Sequence, residues 1–152
     1  MARPDFIAER NLARLTRWLR ILGYDTLNYK NISFNNLIRI ARRDRRIVLT
    51  RNQKHAKSNY KFSRVLIKSD NLEKQLRELD SFITFDEKFL FTRCPNCNKI
   101  LFLIDKRKIV DLIPEKVYKN FAEFKVCRRC GKIYWQGTHY RDFKAKLESL
   151  FK

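Results

Sequence analysis

Cysteine placement constrains this chain more than any other feature. All four cysteines fall in two CxxC pairs, Cys94-Pro95-Asn96-Cys97 and Cys127-Arg128-Arg129-Cys130, with 29 residues between them. Each pair can bend as a short knuckle that turns two thiolates towards one centre, and two knuckles complete the tetrahedral sulfur shell that structural zinc prefers. Cys94, Cys97, Cys127 and Cys130 are therefore the expected zinc ligands. Four thiolates leave no position open to substrate, so the zinc they imply is structural and not catalytic. Two disulfides are the competing reading, but that needs an oxidising compartment and usually a denser cysteine framework. The first residues lack the apolar core of a secretion signal, and no apolar run approaches the roughly 18 residues of a membrane span. The expected setting is cytoplasmic, without a membrane partner.

The charge balance sets the second bound. The chain has 35 Lys and Arg against 16 Asp and Glu, a net charge of +19 on 152 residues, and the excess is spread over both halves. Such a surface repels itself unless a polyanion is its usual neighbour, and nucleic acid is the commonest one. An anionic membrane fits less well, because the basic residues are interleaved with apolar periodicity and not gathered in one tail. A hydrophobic fraction of 44% with three Gly and three Pro argues against disorder.

Residues 1–81 alternate strand and helix. Phe6-Ile7-Ala8 reads as a short strand. Leu12, Leu15, Leu19 and Leu22 then recur at helical spacing between Asn11, the expected N-cap, and Gly23, which suits a left-handed C-cap. Tyr24 to Asn28 reads as a second strand, and Ser33 opens a helix carrying Leu37, Ile38, Ile40 and Ala41. Ile47 to Thr50 and Val65 to Ile67 are the third and fourth strands, separated by a short polar segment through His55. Asp70 with Glu73 has the form of a capping box for a helix bearing Leu72, Leu76 and Leu79. Strands separated by helices of this length imply βαβ crossovers and a parallel sheet.

Residues 82–92 read as a connector. Residues 93–152 follow the order of a zinc ribbon with a helical insertion. The first knuckle is followed by a strand over Ile100 to Ile104, a short helix from Pro114 to about Phe121, the strand Phe124-Lys125-Val126 and the second knuckle. Ile133-Tyr134-Trp135 and an apolar-striped helix from Tyr140 to Phe151 complete it.

The run from Phe6 to Thr26, through Glu9-Arg10-Asn11-Leu12 and Leu22-Gly23-Tyr24-Asp25, resembles the opening of the Mut-seven C-terminal RNase domain family, a PIN-like ribonuclease family. Arg46-Ile47-Val48-Leu49-Thr50-Arg51 resembles its third-strand motif, and Ser69-Asp70 with Gln75-Leu76 the segment after its fourth strand. The two CxxC pairs, with Gly131, Tyr134-Trp135, Gly137 and His139, resemble its C-terminal zinc ribbon. The resemblance covers the whole chain and implies a PIN-like α/β fold, a parallel sheet with flanking helices followed by a small four-cysteine ribbon. It also implies descent from metal-dependent ribonucleases.

Nucleases of that type gather about three carboxylates around Mg²⁺ or Mn²⁺, which polarises the phosphate and activates water. At the three places where the resemblance implies aspartates, this chain has Glu9, Phe34 (or Asn35, if the register slips by one) and Asn52. Glu9 and Asp70 follow strands one and four, at the carboxyl edge where ligands gather in open parallel sheets, while Asp25 and Asp44 belong to the opposite edge. The degenerate catalytic set is therefore Glu9, Asp70 and Asn52, with Mg²⁺ or Mn²⁺ expected only if hydrolysis survives.

Lost acids and abundant bases point to phosphate binding. Arg10, Arg14, Arg17 and Arg20 recur along one helix ridge, and Arg39, Arg42, Arg43, Arg45, Arg46 and Arg51 cluster around the third strand. Arg128, Arg129, Lys132 and His139 add to these from the ribbon, where Tyr134, Trp135 and Tyr140 offer faces for unpaired bases, although Trp135 reads first as ribbon core. Trp18 reads as core, and His55, after the Thr-Arg-Asn segment, as a lone surface histidine sooner than as an acid or base. The expected function is RNA binding, on structured RNA such as ribosomal RNA or tRNA, with nuclease activity weakened or lost. An active metal-dependent ribonuclease and a zinc-ribbon DNA-binding adaptor are the alternatives.

Overall fold

The computed structural model describes residues 2–152; Met1, the first residue of the expected α/β domain, lies outside it. Strands β1 (Phe6–Ala8), β2 (Thr26–Asn28), β3 (Ile47–Thr50) and β4 (Arg64–Leu66) form one parallel sheet in the order β2-β1-β3-β4. All three β1 residues are buried, as a central strand covered on both faces requires.

Alternation along the strands divides the core into two layers. Phe6, Ala8 and Leu49 face helices α1 (Ala13–Ile21) and α4 (Leu72–Glu78), through Leu15, Leu19, Leu22, Leu72 and Leu76. Ile7 and Val48 face α2 (Phe34–Asp44), through Leu37 and Ala41. A buried Leu or Ile stabilises by about 1.5–3 kcal/mol relative to exposure, so these few side chains supply much of the sheet's cohesion.

The helix ends show which sequence signals operate. Gly23 has φ +94° and closes α1, with Tyr24 N donating to Leu19 O and Gly23 N to Arg20 O, both at 2.9 Å. A Cβ there would fall 2.7 Å from Phe89 O. Ser33 caps α2 as expected, accepting from Asn36 N at 3.1 Å. The cap expected at Asn11 does not form, because a 3₁₀ turn over Arg10–Leu12 follows Glu9 directly and runs into α1. The capping box at Asp70 does not form either. Asn71, one residue later, accepts from Lys74 N at 3.1 Å, and the Ser69 hydroxyl accepts from Asn71 N.

Strands β5 (Phe102–Ile104), β6 (Phe124–Val126) and β7 (Ile133–Tyr134) form a small antiparallel sheet beside the four cysteines. The insertion between β5 and β6 includes α5 (Glu115–Asn120), and Ile109, Ile113 and Phe124 make a satellite core with Trp135 packed against it. The last helix, α6 (Thr138–Leu150), packs on the main core through Tyr140 and Leu147, and Phe143 meets Trp18 edge-on at 4.7 Å. Ile83 and Leu90, from the segment that reads as a connector, are buried in that same core. Among the described residues no helix is long and apolar enough to cross a membrane.

Candidate functional site

The strand order reverses between β1 and β3, so the carboxyl ends of these two strands flank the crevice where open α/β sheets bind ligands. Glu9 leaves β1 there. Its backbone is fixed by Glu9 N donating to Leu49 O at 3.1 Å and by Asn28 Nδ2 donating to Glu9 O at 2.9 Å. After β3, the Thr50 hydroxyl accepts from Asn52 N, and the Asn52 side chain caps the short helix α3 (Gln53–Ala56), accepting from Lys54 N and His55 N. That turn delivers His55 across the crevice, with Nδ1 2.8 Å from the Glu9 carboxylate. A carboxylate only accepts hydrogen bonds, so Nδ1 carries the hydrogen and Nε2 is left for other partners.

Phe34 completes this arrangement. Its ring lies flat on the His55 imidazole at 3.8 Å with planes 5° apart, and Phe62 meets it edge-on at 5.9 Å. Of the two registers left open by the sequence, Phe34 and not Asn35 lines the cleft with Glu9. The cleft has a volume of about 390 Å³, and Arg10, Lys30 and His55 also line it. Asp70 is exposed and does not line it, and the Asn52 carbonyl oxygen is committed to its cap. One carboxylate flanked by two cations is a poor donor set for Mg²⁺ or Mn²⁺, which favour several oxygens of net negative charge.

The cysteine centre has the opposite character. The four Sγ atoms lie within 4.8 Å of one another, and Cys94 Sγ is 3.8 Å from Cys130 Sγ. A zinc tetrahedron with Zn–S bonds of about 2.3 Å has edges of about 3.8 Å, so this donor set fits zinc. The knuckles are built alike. Cys94 N donates to Lys99 O and Asn98 N to Cys94 O; Cys127 N donates to Lys132 O and Gly131 N to Cys127 O. Asn98 (φ +66°) and Gly131 (φ +76°) hold equivalent left-handed positions. Burial and the neighbouring sulfurs push the Cys97 thiol up to about 12. Burial opposes ionisation of Cys127 too, but the Cys130 and Arg129 backbone N–H groups outweigh it and bring that thiol to about 7. Tyr134 is held protonated by burial and by Cys94, whose sulfur lies 3.3 Å from the phenol oxygen. An outer hydrogen bond of that kind orients a metal ligand.

A family model for the Mut7-C RNAse domain matches residues 4–147, a span that takes in both the parallel sheet and the cysteine centre. The chain belongs to the Mut7-C RNAse domain family. Neither a curated protein nor a solved structure matches it.

Within this Mut7-C domain the arginines of the ridge and the cluster divide into two groups. Arg20 is buried, and donates to Thr26 O at 2.9 Å and to Pro95 O and Asn96 O at 3.0 and 3.1 Å, tying α1 to the first knuckle. Arg46 turns inward to Phe6 O and the Asp25 carboxylate, the latter at 2.8 Å. Burial opposes ionisation of Asp25, but Arg46 and Asn98 outweigh it and hold its pKa below the usual carboxylate value. Arg10, Arg14 and Arg17 are exposed, and Arg17 also bonds the Asn96 side chain. Arg39 bonds Asn36, Arg42 bonds Lys61 O, Arg43 pairs with Asp44, Arg45 is the left-handed C-cap of α2, and Arg51 reaches Lys68 O. Arg128 lies over the Phe102 ring at 3.6 Å, while Arg129, Lys132 and His139 are exposed.

Sequence reasoning favoured a lone surface residue over an acid or base at His55, and no spacing rule could pair it with Glu9 across 46 positions. It passed over Asn98. There a signal existed: Asn occupies the place that Gly131 holds in the second knuckle, and Asn tolerates the left-handed conformation while adding a polar side chain.

Proposed function

We propose that this Mut7-C domain binds structured RNA, such as ribosomal RNA or tRNA, and that metal-dependent hydrolysis is weakened or lost in it. The observation that carries the reading is the state of Glu9. Its carboxylate is paired with His55, which is clamped on Phe34, and Arg10 and Lys30 flank the same cleft. Such a cleft attracts a phosphate more than a divalent cation. Asn52 is not forced by the fold, because aspartate caps a helix equally well, so replacing the acid changes charge and not architecture.

Affinity on this reading comes from Arg10 on the 3₁₀ turn, Arg14 and Arg17 on α1, and Arg128, Arg129 and Lys132 on the second knuckle. Arg17 and Lys132 line one common cleft, which makes the two groups neighbours. Phosphate contacts of this kind give affinity and orientation without reading sequence, and suit a folded RNA recognised by shape. The zinc would hold the knuckles that present these cations and take no part in hydrolysis. The test is RNA affinity against salt. Affinity should fall steeply as salt rises, and Arg10→Ala/Arg14→Ala should shallow the slope by about two contacts. A flat dependence defeats the proposal.

A further inference from the structure

We propose that the cleft between α1, β7 and α6 receives a single unpaired base of the bound RNA, an inference that rests on the RNA-binding reading above. The cleft has a volume of about 590 Å³, in the range of about 300–1,000 Å³ for small-ligand sites. Phe91, Tyr134, Trp135 and Tyr140 line it, with Arg17 and Lys132 among its cations. Among the described residues no Asp or Glu lines it. Aromatic rings and cations lining one cleft are what a base joined to a phosphate requires, because rings stack on the base while cations meet the backbone.

The aromatic floor is fixed before any ligand arrives. Phe91 has φ +53°, a conformation costly for an aromatic residue, and is held there by Phe91 N donating to Ile21 O at 2.9 Å. From that position its ring lies 5.7 Å from Tyr140 and 6.0 Å from Tyr134. The Tyr134 hydroxyl is engaged by Cys94, which locks its ring against the metal centre. The Trp135 indole folds over Gly137, where a Cβ would fall 2.7 Å from Nε1, so glycine is required for that pose. Rigid rings lose little entropy when a base stacks on them. An acidic peptide is the other anionic occupant; it would use the cations but not the rings.

The test compares hexauridylate with an abasic ribose-phosphate hexamer of equal charge, on the zinc-loaded full chain. Thr138, exposed at the start of α6 and lining the cleft, is changed to Phe to fill it without deleting a core contact. The wild type should bind hexauridylate about tenfold or more tighter than the abasic strand, and Thr138→Phe should bind the two equally. A 5-iodouridine probe should crosslink to an aromatic of the cleft. Lys132→Ala, at an exposed position, should weaken both strands alike and serves as a second variant should Thr138→Phe lose zinc. Equal binding of the two strands by the wild type, or crosslinks elsewhere, overturns the base pocket and leaves RNA binding standing. Competition by polyglutamate as strong as by hexauridylate also overturns the pocket, and absence of any RNA binding overturns both readings.

Discussion

The Asn98 amide donates from Nδ2 to the Asp25 carboxylate over 2.7 Å, so the residue next to Cys97 of the four-cysteine centre is bonded to the segment that opens β2. Its Oδ1 also accepts from Thr26 N at 3.0 Å, which extends the edge of the parallel sheet into the knuckle. Asn98→Gly keeps the left-handed backbone and the sulfur shell but deletes both bonds. It should cost about 1–3 kcal/mol in denaturant unfolding at unchanged zinc content; lost zinc would show that the dock and the metal centre are one unit.

Asp25 predicts a pH dependence. Its folded pKa lies below the unfolded value of about 3.9, so its stabilisation is complete above about pH 4 and is lost as pH falls through the folded value. Asp25→Asn should flatten that acid limb. At neutral pH it should destabilise by about 1.5–3 kcal/mol, because it removes the closer charge partner of the largely buried Arg46 and leaves it only Asp44, 3.8 Å away. An unchanged acid limb contradicts this assignment.

Arg20 and Arg14 should separate cleanly. Arg20→Ala strands three carbonyls at the junction and should cost about 3 kcal/mol or more. Arg14→Ala, at an exposed position, should leave the thermal midpoint unchanged while weakening RNA binding. Loss of RNA affinity in Arg20→Ala beyond the unfolded fraction would place Arg20 on the RNA.

Zinc removal should unfold the ribbon before the parallel sheet, because Cys94 and Cys127 are themselves the buried centre of its local core. With Trp18→Phe to isolate the indole signals, chelation should change Trp135 fluorescence and lower RNA affinity while far-UV helicity largely persists. Full loss of helicity on chelation would make the two sheets one cooperative unit.

The parallel sheet and the sulfur shell were legible in the sequence because both have local signatures: apolar runs at strand length, and cysteine pairs with two residues between them. The caps were harder. Asn71 and the 3₁₀ turn after Glu9 each displaced a reasonable cap by one or two positions, which local hydrogen bonding decides and periodicity does not. The inward turn of Arg20 and Arg46 was illegible for another reason. Both lie in arginine-rich segments, and their inward turn depends on the approach of Thr26 and residues 95–96 to Arg20 and of Phe6 and Asp25 to Arg46. The Glu9–His55–Phe34 arrangement likewise joins three separate elements that meet only once the sheet is built.

The reading of the crevice predicts that restoring acids restores a cation site. Phe34→Asp/Asn52→Asp should raise Mn²⁺ affinity about tenfold or more by calorimetry, since carboxylates would then follow both β1 and β3 at the carboxyl edge of the sheet, with a third at the start of α2. An unchanged titration would mean that the cleft is not the ancestral metal site.

The most direct test of the central claim is single-turnover incubation of the zinc-loaded protein with labelled structured RNA in Mn²⁺, alongside Glu9→Gln/Asp70→Asn. The account predicts retained, salt-sensitive binding by both proteins and no cleavage above background by either. Cleavage by the wild type that vanishes in the double variant would contradict it.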